Sequence, residues 1–353
     1  MTNIAAQVLI PSAFAFALGI VFAPALASIL YRKKAWKKKA GKGKGIGGGG
    51  TPVFDELHKE REVSTPRMGG ILIWASVLAT AIGLFFLAKL FGGVFESLNF
   101  INRNQTWLPL CALAVGAAVG FLDDLLEIVR GRGGLSLSHR LLVVAAMGLI
   151  GGSWFYAKLD VASIGIPFAD PLYLGPFIIP LFAIITLFLY ASGTIDGIDG
   201  LAGGVFAIVF MAYAGIAFGV GAFSLAAFAA ACAGAILAFL WFNIPPARFY
   251  MSETGSMALT LSLAMTAFAS DALAGGVGVS VLPLVAFPLT ATVATTLLQV
   301  SWKRAFNRKL FRVAPIHHHF EALGWPPYKV TMRYWVITII MSVLGLSIAL
   351  LSA

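Results

Sequence analysis

Four short stretches of this chain carry side chains able to do chemistry, and each stands beside the end of an apolar run. Asp123 and Asp124 follow Phe121-Leu122. Asp196 and Asp199 lie in Gly193-Thr-Ile-Asp-Gly-Ile-Asp-Gly200. Glu253 precedes Thr254-Gly255-Ser256. His317, His318 and His319, three of the five histidines, stand between Pro315 and Phe320-Glu321. Two adjacent carboxylates at the end of an apolar span are unfavourable unless paired, hydrated or metal-bound. Their hard oxygens suit magnesium and, through it, phosphate. Asp196 and Asp199, three apart, are expected to share a helix face. The glycines around them let backbone approach a ligand, and the amides at the next helix start suit an anion. Three neighbouring histidines offer donors or ligands in different directions near neutral pKa. Zinc ligands are usually spaced about two to five residues apart, so the triplet alone reads as a transition-metal site, a polyanion site or a polar loop. Arg130, Arg132, His139 and Arg140 follow the first acid pair and could meet phosphate.

These residues need elements to position them, and composition says which. Of the 353 residues 59% are hydrophobic and 11% charged. That excludes a soluble domain and points to an all-α polytopic integral membrane protein, read as a single membrane domain over 1–353. Ten apolar segments are expected as spans, at 4–30, 70–91, 108–122, 141–157, 174–192, 201–219, 222–241, 256–272, 277–300 and 334–352. The first lacks the basic start of a cleavable signal peptide. With the N-terminus outside, 22 of the 25 Lys and Arg fall on inner connections and only Lys89, Arg103 and Lys158 on outer ones. This bias places both termini on the outer side. The net charge of +10 then belongs to one membrane face, where it attracts anionic lipid headgroups and phosphate-bearing substrates. Residues 31–52 form a basic Gly/Lys-rich loop, expected to be flexible and to lie on anionic lipid. Cys111 and Cys232 sit in apolar runs as small packing residues. All four chemical stretches face inward, whereas the outer connections carry only Glu96, Asp160, Asp170 and Asp271. A polar site at the inner surface is the consequence. A transport path would want ionisable residues within the spans, and no nucleic-acid partner is expected.

Six motifs occur in order: Thr65-Pro66-x-Met68-Gly69-Gly70, Phe121-x-Asp123-Asp124, Asp196-Gly197-x-Asp199-Gly200-Leu201-Ala202, Asn243-x-Pro245-x-Ala247, Thr254-Gly255-Ser256 and Pro315-Ile316-His317-His318-His319-Phe320-Glu321. Over about 55–340 the chain resembles the phospho-N-acetylmuramoyl-pentapeptide transferases, the MraY branch of the polyprenyl-phosphate N-acetylhexosamine-1-phosphate transferases. The resemblance implies ten spans in the bacterial inner membrane and transfer of phospho-MurNAc-pentapeptide from UDP to undecaprenyl phosphate, giving lipid I and UMP. It implies Mg²⁺ as cofactor, membrane lipids as surroundings and a homodimer. Asp123, Asp124, Asp199 and Glu253 become its expected metal ligands and, with His317, His318 and His319, its catalytic set. Thr65, Arg67, Arg130, Asp196, Gly197, Gly200, Asn243, Phe249, Gly255 and Ser256 become its substrate-binding set.

The chain departs from the family pattern at several of these places. Glu253 stands where the family has Asp, Gly193 where it has Asn, Ile195 where it has Thr, and Glu127 where a Lys follows the acid pair. Arg67, Arg61 and Arg130 are candidates to restore positive charge. Two other readings follow from these departures: a related transferase using another UDP-N-acetylhexosamine, and a catalytically impaired paralogue that binds lipid phosphate. A transporter is the further reading that any ten-span chain admits.

Overall fold

The structure, a computed structural model, describes residues 4–38, 63–131, 133–272 and 276–352. Most of the basic loop expected at 31–52, together with Arg61 and Arg132, lies outside the described residues. Seven helical stretches are long and apolar enough to cross a membrane: Ile4–Arg32, Gly70–Phe91, Leu137–Lys158, Gly175–Ile195, Leu201–Gly219, Phe223–Asn243 and Pro327–Ser352. We number the helices α1 (Ile4–Arg32), α2 (Gly70–Phe91), α3 (Val94–Leu98), α4 (Trp107–Arg130), α5 (Leu137–Lys158), α6 (Ile178–Ser192), α7 (Leu201–Gly219), α8 (Phe223–Asn243), α9 (Ser252–Ala272), α10 (Leu282–Val285), α11 (Phe287–Phe306), α12 (Ile316–Ala322) and α13 (Pro327–Ser352). The chain is a polytopic, almost wholly helical membrane protein.

Of the remaining long helices, α4, α9 and α11 have 24, 21 and 20 residues and carry more polar side chains. In α9 these are absorbed internally. Thr260, Thr266 and Ser270 each donate to the carbonyl one turn back, at 2.8 Å. Such back-bonding satisfies a hydroxyl without a neighbour, so a Ser/Thr-rich helix can occupy the centre of the bundle, where almost every α9 side chain is buried.

The segment expected at 277–300 is broken. Residues 282–285 form the short α10, and α11 starts at Phe287 with Pro288 in its first turn, where proline's missing amide does least harm. A small antiparallel hairpin also interrupts the all-α reading. Its strands, β1 (Ser163–Ile166) and β2 (Ala169–Tyr173), pair Ser163 with Tyr173 and Ile166 with Ala169. Asp271 pins it: its carboxylate accepts the Gly165 amide at 2.8 Å and the Val279 amide at 3.0 Å.

Small residues let the central helices approach closely. A Cβ on Gly116 would lie 2.8 Å from the Ala258 Cα, and one on Gly120 would collide with the Glu253 carbonyl oxygen. Gly70 meets Gly255 in the same way. Where backbones meet through glycine, van der Waals packing drives helix association in the membrane. This contact fixes the register of α4 on α9 and thereby sets Asp123 and Asp124, one turn beyond Gly120, against the start of α9. Gly120→Val is therefore expected to lower stability by about 1–3 kcal/mol, the range for overpacking, measured by unfolding in detergent.

Candidate active site

The acid pair is not at the end of its helix. Helix α4 runs on to Arg130 and stops at Gly131, which is left-handed at φ 64°. Asp123 and Asp124 are therefore in a packed helix and are buried, with Asp124 at 0% exposure. Every oxygen of Asp124 is used. Oδ2 accepts the Thr254 amide at 2.9 Å and the Thr254 hydroxyl at 2.6 Å. Oδ1 accepts from Arg67 Nη2 at 3.2 Å. Asp123 accepts the Leu135 amide and lies 3.6 Å from Arg140 Nη1. The same Nη1 is 2.6 Å from Glu253 Oε1.

Arg67 reaches this cluster because its strand-like segment is held along the α8–α9 connection. Tyr250 donates to the Pro66 carbonyl, Gly69 to Tyr250 and Gly70 to Met251, at 2.8, 2.8 and 3.1 Å. The Met68 amide donates to Ser252 Oγ at 3.2 Å. Arg67 Nη2 is then shared between Asp124 and Glu127, the latter at 3.3 Å, and Lys37 Nζ stands 3.7 Å from Glu127 on its other side. Burial alone would lower the Arg67 pKa, but the carboxylates of Asp124 and Glu127, with Asp196 and Glu253 behind them, raise it above the ordinary value. The guanidinium is a fixed positive charge.

Asp196 and Asp199 do not share a helix face. Residues 193–195 form a 3₁₀ turn, Gly200 is left-handed at φ 76°, and α7 begins only at Leu201. The two carboxylates instead hold the α8–α9 connection at two points. Asp196 Oδ2 accepts the Ser252 amide at 2.8 Å, and Asp199 Oδ2 accepts the Ala247 amide at 3.1 Å. Two of the expected anion-binding amides are also taken, Gly200 by Asn243 Oδ1 and Leu201 by the Ile198 carbonyl. The Asn243 amide nitrogen donates in turn to the Phe249 carbonyl at 2.9 Å.

The histidine triplet is on a short helix, α12, so successive rings point about 100° apart. His317 and His318 turn inward and are buried, while His319 is half-exposed. His318 Nδ1 is 2.6 Å from Glu321 Oε2. Its Nε2 faces the Asp196–Asp199 loop, where a Cβ on Gly197 would lie 2.6 Å from that nitrogen and 3.3 Å from His317 Nε2. His319 turns to Phe311 and accepts the Arg312 amide at 3.2 Å. Partial burial, and after it the Arg312 guanidinium, hold its pKa below the ordinary histidine value.

The structure thus gathers Asp123, Asp124, Arg67 and Glu253, and links Asp196, Gly197, His317 and His318 to them through Ser252. Thr65 is half-buried beside Arg67. Arg130 is exposed at the end of α4 and forms no ion pair with the cluster among the described residues. Phe249 is fully buried between Phe239 and Phe242. Ser256 packs near Gly193, and Gly255 serves the crossing with Gly70. Thr254, Glu127 and Glu321 also take part although they are absent from the sequence-derived catalytic and binding sets, and Arg140, there one of several basic residues, is singled out by its place between Asp123 and Glu253. Arg140 had a usable signal, a basic residue one turn into the helix after the acid pair. Its helix starts at Ser136, whose hydroxyl caps the His139 amide.

The chain matches the glycosyl transferase family 4 model over residues 106–271, which contain both acid clusters and Glu253. It is 33% identical over 320 residues to the phospho-N-acetylmuramoyl-pentapeptide-transferase of Gluconacetobacter diazotrophicus, covering 83% of this chain and 81% of the relative. The protein of that name from Mycolicibacterium vanbaalenii is 31% identical over 371 residues, covering 97% and 96%. The chain belongs to the phospho-N-acetylmuramoyl-pentapeptide transferase family.

For a transferase of this family the donor set bears on a metal. Among the described residues no three acidic, histidine or cysteine side chains come together as a metal cage. Asp124 is fully engaged, and Asp199 is turned to Ala247. Asp123 and Glu253 remain, and a cationic nitrogen already stands between them. Mg²⁺ is commonly held by one or two carboxylates, water and substrate phosphate, so this pair fits it, whereas both oxygens of Asp124 are already taken. Thr254→Val, which removes one of three donors to a buried carboxylate, is expected to lower stability by about 1–3 kcal/mol in detergent unfolding, while Thr254→Ser stays close to wild type.

Proposed function

We propose that this chain transfers phospho-N-acetylmuramoyl-pentapeptide from UDP-MurNAc-pentapeptide to undecaprenyl phosphate, producing lipid I and UMP for peptidoglycan synthesis. The observation that carries it is the arginine–carboxylate cluster of Asp123, Asp124, Glu253, Arg67 and Arg140 at one end of a membrane bundle, in a chain of this family. A lipid phosphate oxygen forms the new bond to the phosphorus attached to the sugar, and the bond from that phosphorus to the UMP oxygen breaks. A phosphate monoester has its second pKa at about 6 and needs little help from a base. The larger task is holding two anionic groups together, which falls to positioned charge.

Arg67 and Arg140 are the guanidiniums that orient phosphate, since their planar forks match its oxygens. Asp124 and Glu127 aim Arg67. Asp123 and Glu253 would hold Mg²⁺, which when bound offsets negative charge on the diphosphate. Glu321 fixes the His318 ring so that its far nitrogen faces the Asp196–Asp199 loop and hydrogen-bonds sugar or phosphate there. Gly197 leaves room for that ring.

We extend the proposal to ten spans in a bacterial inner membrane, with both termini outward. The charge asymmetry supports this, as does the placement of the chain ends. Gln7 lies with Ser97–Phe100 and Phe223, and Leu350 packs on Gly219, at the end of the bundle away from the carboxylates. The homodimer rests on the family resemblance alone.

The test is UMP release by the purified chain from UDP-MurNAc-pentapeptide and undecaprenyl phosphate. Release is expected to need Mg²⁺ and to fall by about 10²–10³-fold, the range for loss of one charge-stabilising group, in both Asp123→Asn and Glu253→Gln. Faster release from UDP-N-acetylglucosamine would instead favour a related transferase. No release with any of these substrates would overturn the assignment.

A further inference from the structure

The position between Asp123 and Glu253 is held by Arg140 Nη1, 3.6 and 2.6 Å from their oxygens. The guanidinium is incompletely satisfied there. Its Nε is buried without a hydrogen-bond partner among the described residues. Tyr190, buried on the neighbouring α6, lies close to the same side chain. The surroundings are close to balanced in charge: the carboxylates of Asp123, Asp124, Glu127 and Glu253 face Arg67, Arg140 and Lys37. Two carboxylates that share one guanidinium nitrogen, Asp123 buried and Glu253 partly exposed, favour a cation between them, and a metal ion held by both oxygens would compete with Arg140 Nη1 for that place.

We propose that Arg140 is a displaceable resident counter-ion: it and a divalent cation occupy the Asp123–Glu253 position in turn. This rests on the metal reading given under the proposed function and adds an exchange to it. A guanidinium displaced from this position has its nitrogens, the unpaired Nε included, free for a phosphate of the substrate. Such an exchange would keep a cation beside Asp123 and Glu253 and offer the guanidinium to phosphate. Arg67 has no such role. It is held by Asp124 and Glu127 and does not stand between Asp123 and Glu253.

The experiment is Mn²⁺ binding, followed by electron paramagnetic resonance, to the purified full chain without nucleotide. Arg140→Gln is expected to bind Mn²⁺ about tenfold more tightly than wild type, the scale of one charge-assisted hydrogen bond. Arg67→Gln removes the same charge from the same cluster without vacating this position, and is expected to tighten Mn²⁺ less than Arg140→Gln does, through longer-range Coulomb relief alone. Adding Glu253→Gln to Arg140→Gln should abolish the gain. If Arg140→Gln does not fold, Arg140→Lys gives the same information. It keeps the charge but loses the fork, and tightening of about threefold is expected. Equal tightening by the Arg67 and Arg140 substitutions, or unchanged affinity in every Arg140 variant that binds Mn²⁺, would overturn the exchange and leave the metal site standing. No binding by any form would overturn both.

Discussion

A carboxylate with no access to water, Asp124, sets the terms for the inner end of this bundle. An ionised side chain there must be met by donors on every side. Thr254 supplies two of them from α9 and Arg67 supplies the third from the segment preceding α2. Two parts of the chain far apart in sequence are thereby fixed to one side chain of α4. Arg67 in turn fixes Glu127, and Glu127 meets Lys37 from the end of α1. Removing one member leaves its partner charged and buried, which is more damaging than removing the pair.

The close approach of α4 and α9 makes this geometry possible. Gly116 and Gly120 bring the backbones into contact, and the acids follow one turn later. The second acid cluster works differently. Asp196 and Asp199 each direct one carboxylate oxygen to the amides of Ser252 and Ala247, and so help to place Glu253 and the loop before it. Gly197 then sets the distance to His318. The carboxylates look alike in sequence, and only their hydrogen-bond partners distinguish them.

Much of the helical framework was legible from apolar runs: 70–91 and 201–219 coincide with α2 and α7. Periodicity gave less where polarity and helix part company. Helix α4 continues past its acids to Arg130 because Asp123 and Asp124 find partners, and no local pattern announces that. Proline divides 277–300, and the 163–173 hairpin is too short to register as a pattern of its own. Within the site, motif residues were visible individually, but their division of labour was not. Phe249 and Asn243 sit beside the chemistry in sequence, while one packs in the core and the other holds two loops. Arg140 lies in no motif and is bonded to Glu253 across 113 residues.

The central physical claim is that Arg67 and Asp124 act as one unit. The most direct measurement is a double-mutant cycle with Arg67→Gln, Asp124→Asn and the pair together, read as stability in detergent. A coupling of about 1.5 kcal/mol or more is expected, within the range for directly interacting residues, with the double variant less impaired than the two single losses added. Additive losses, with coupling below about 0.5 kcal/mol, would show that the two side chains are independent and would contradict the dependence of the inner end on this contact.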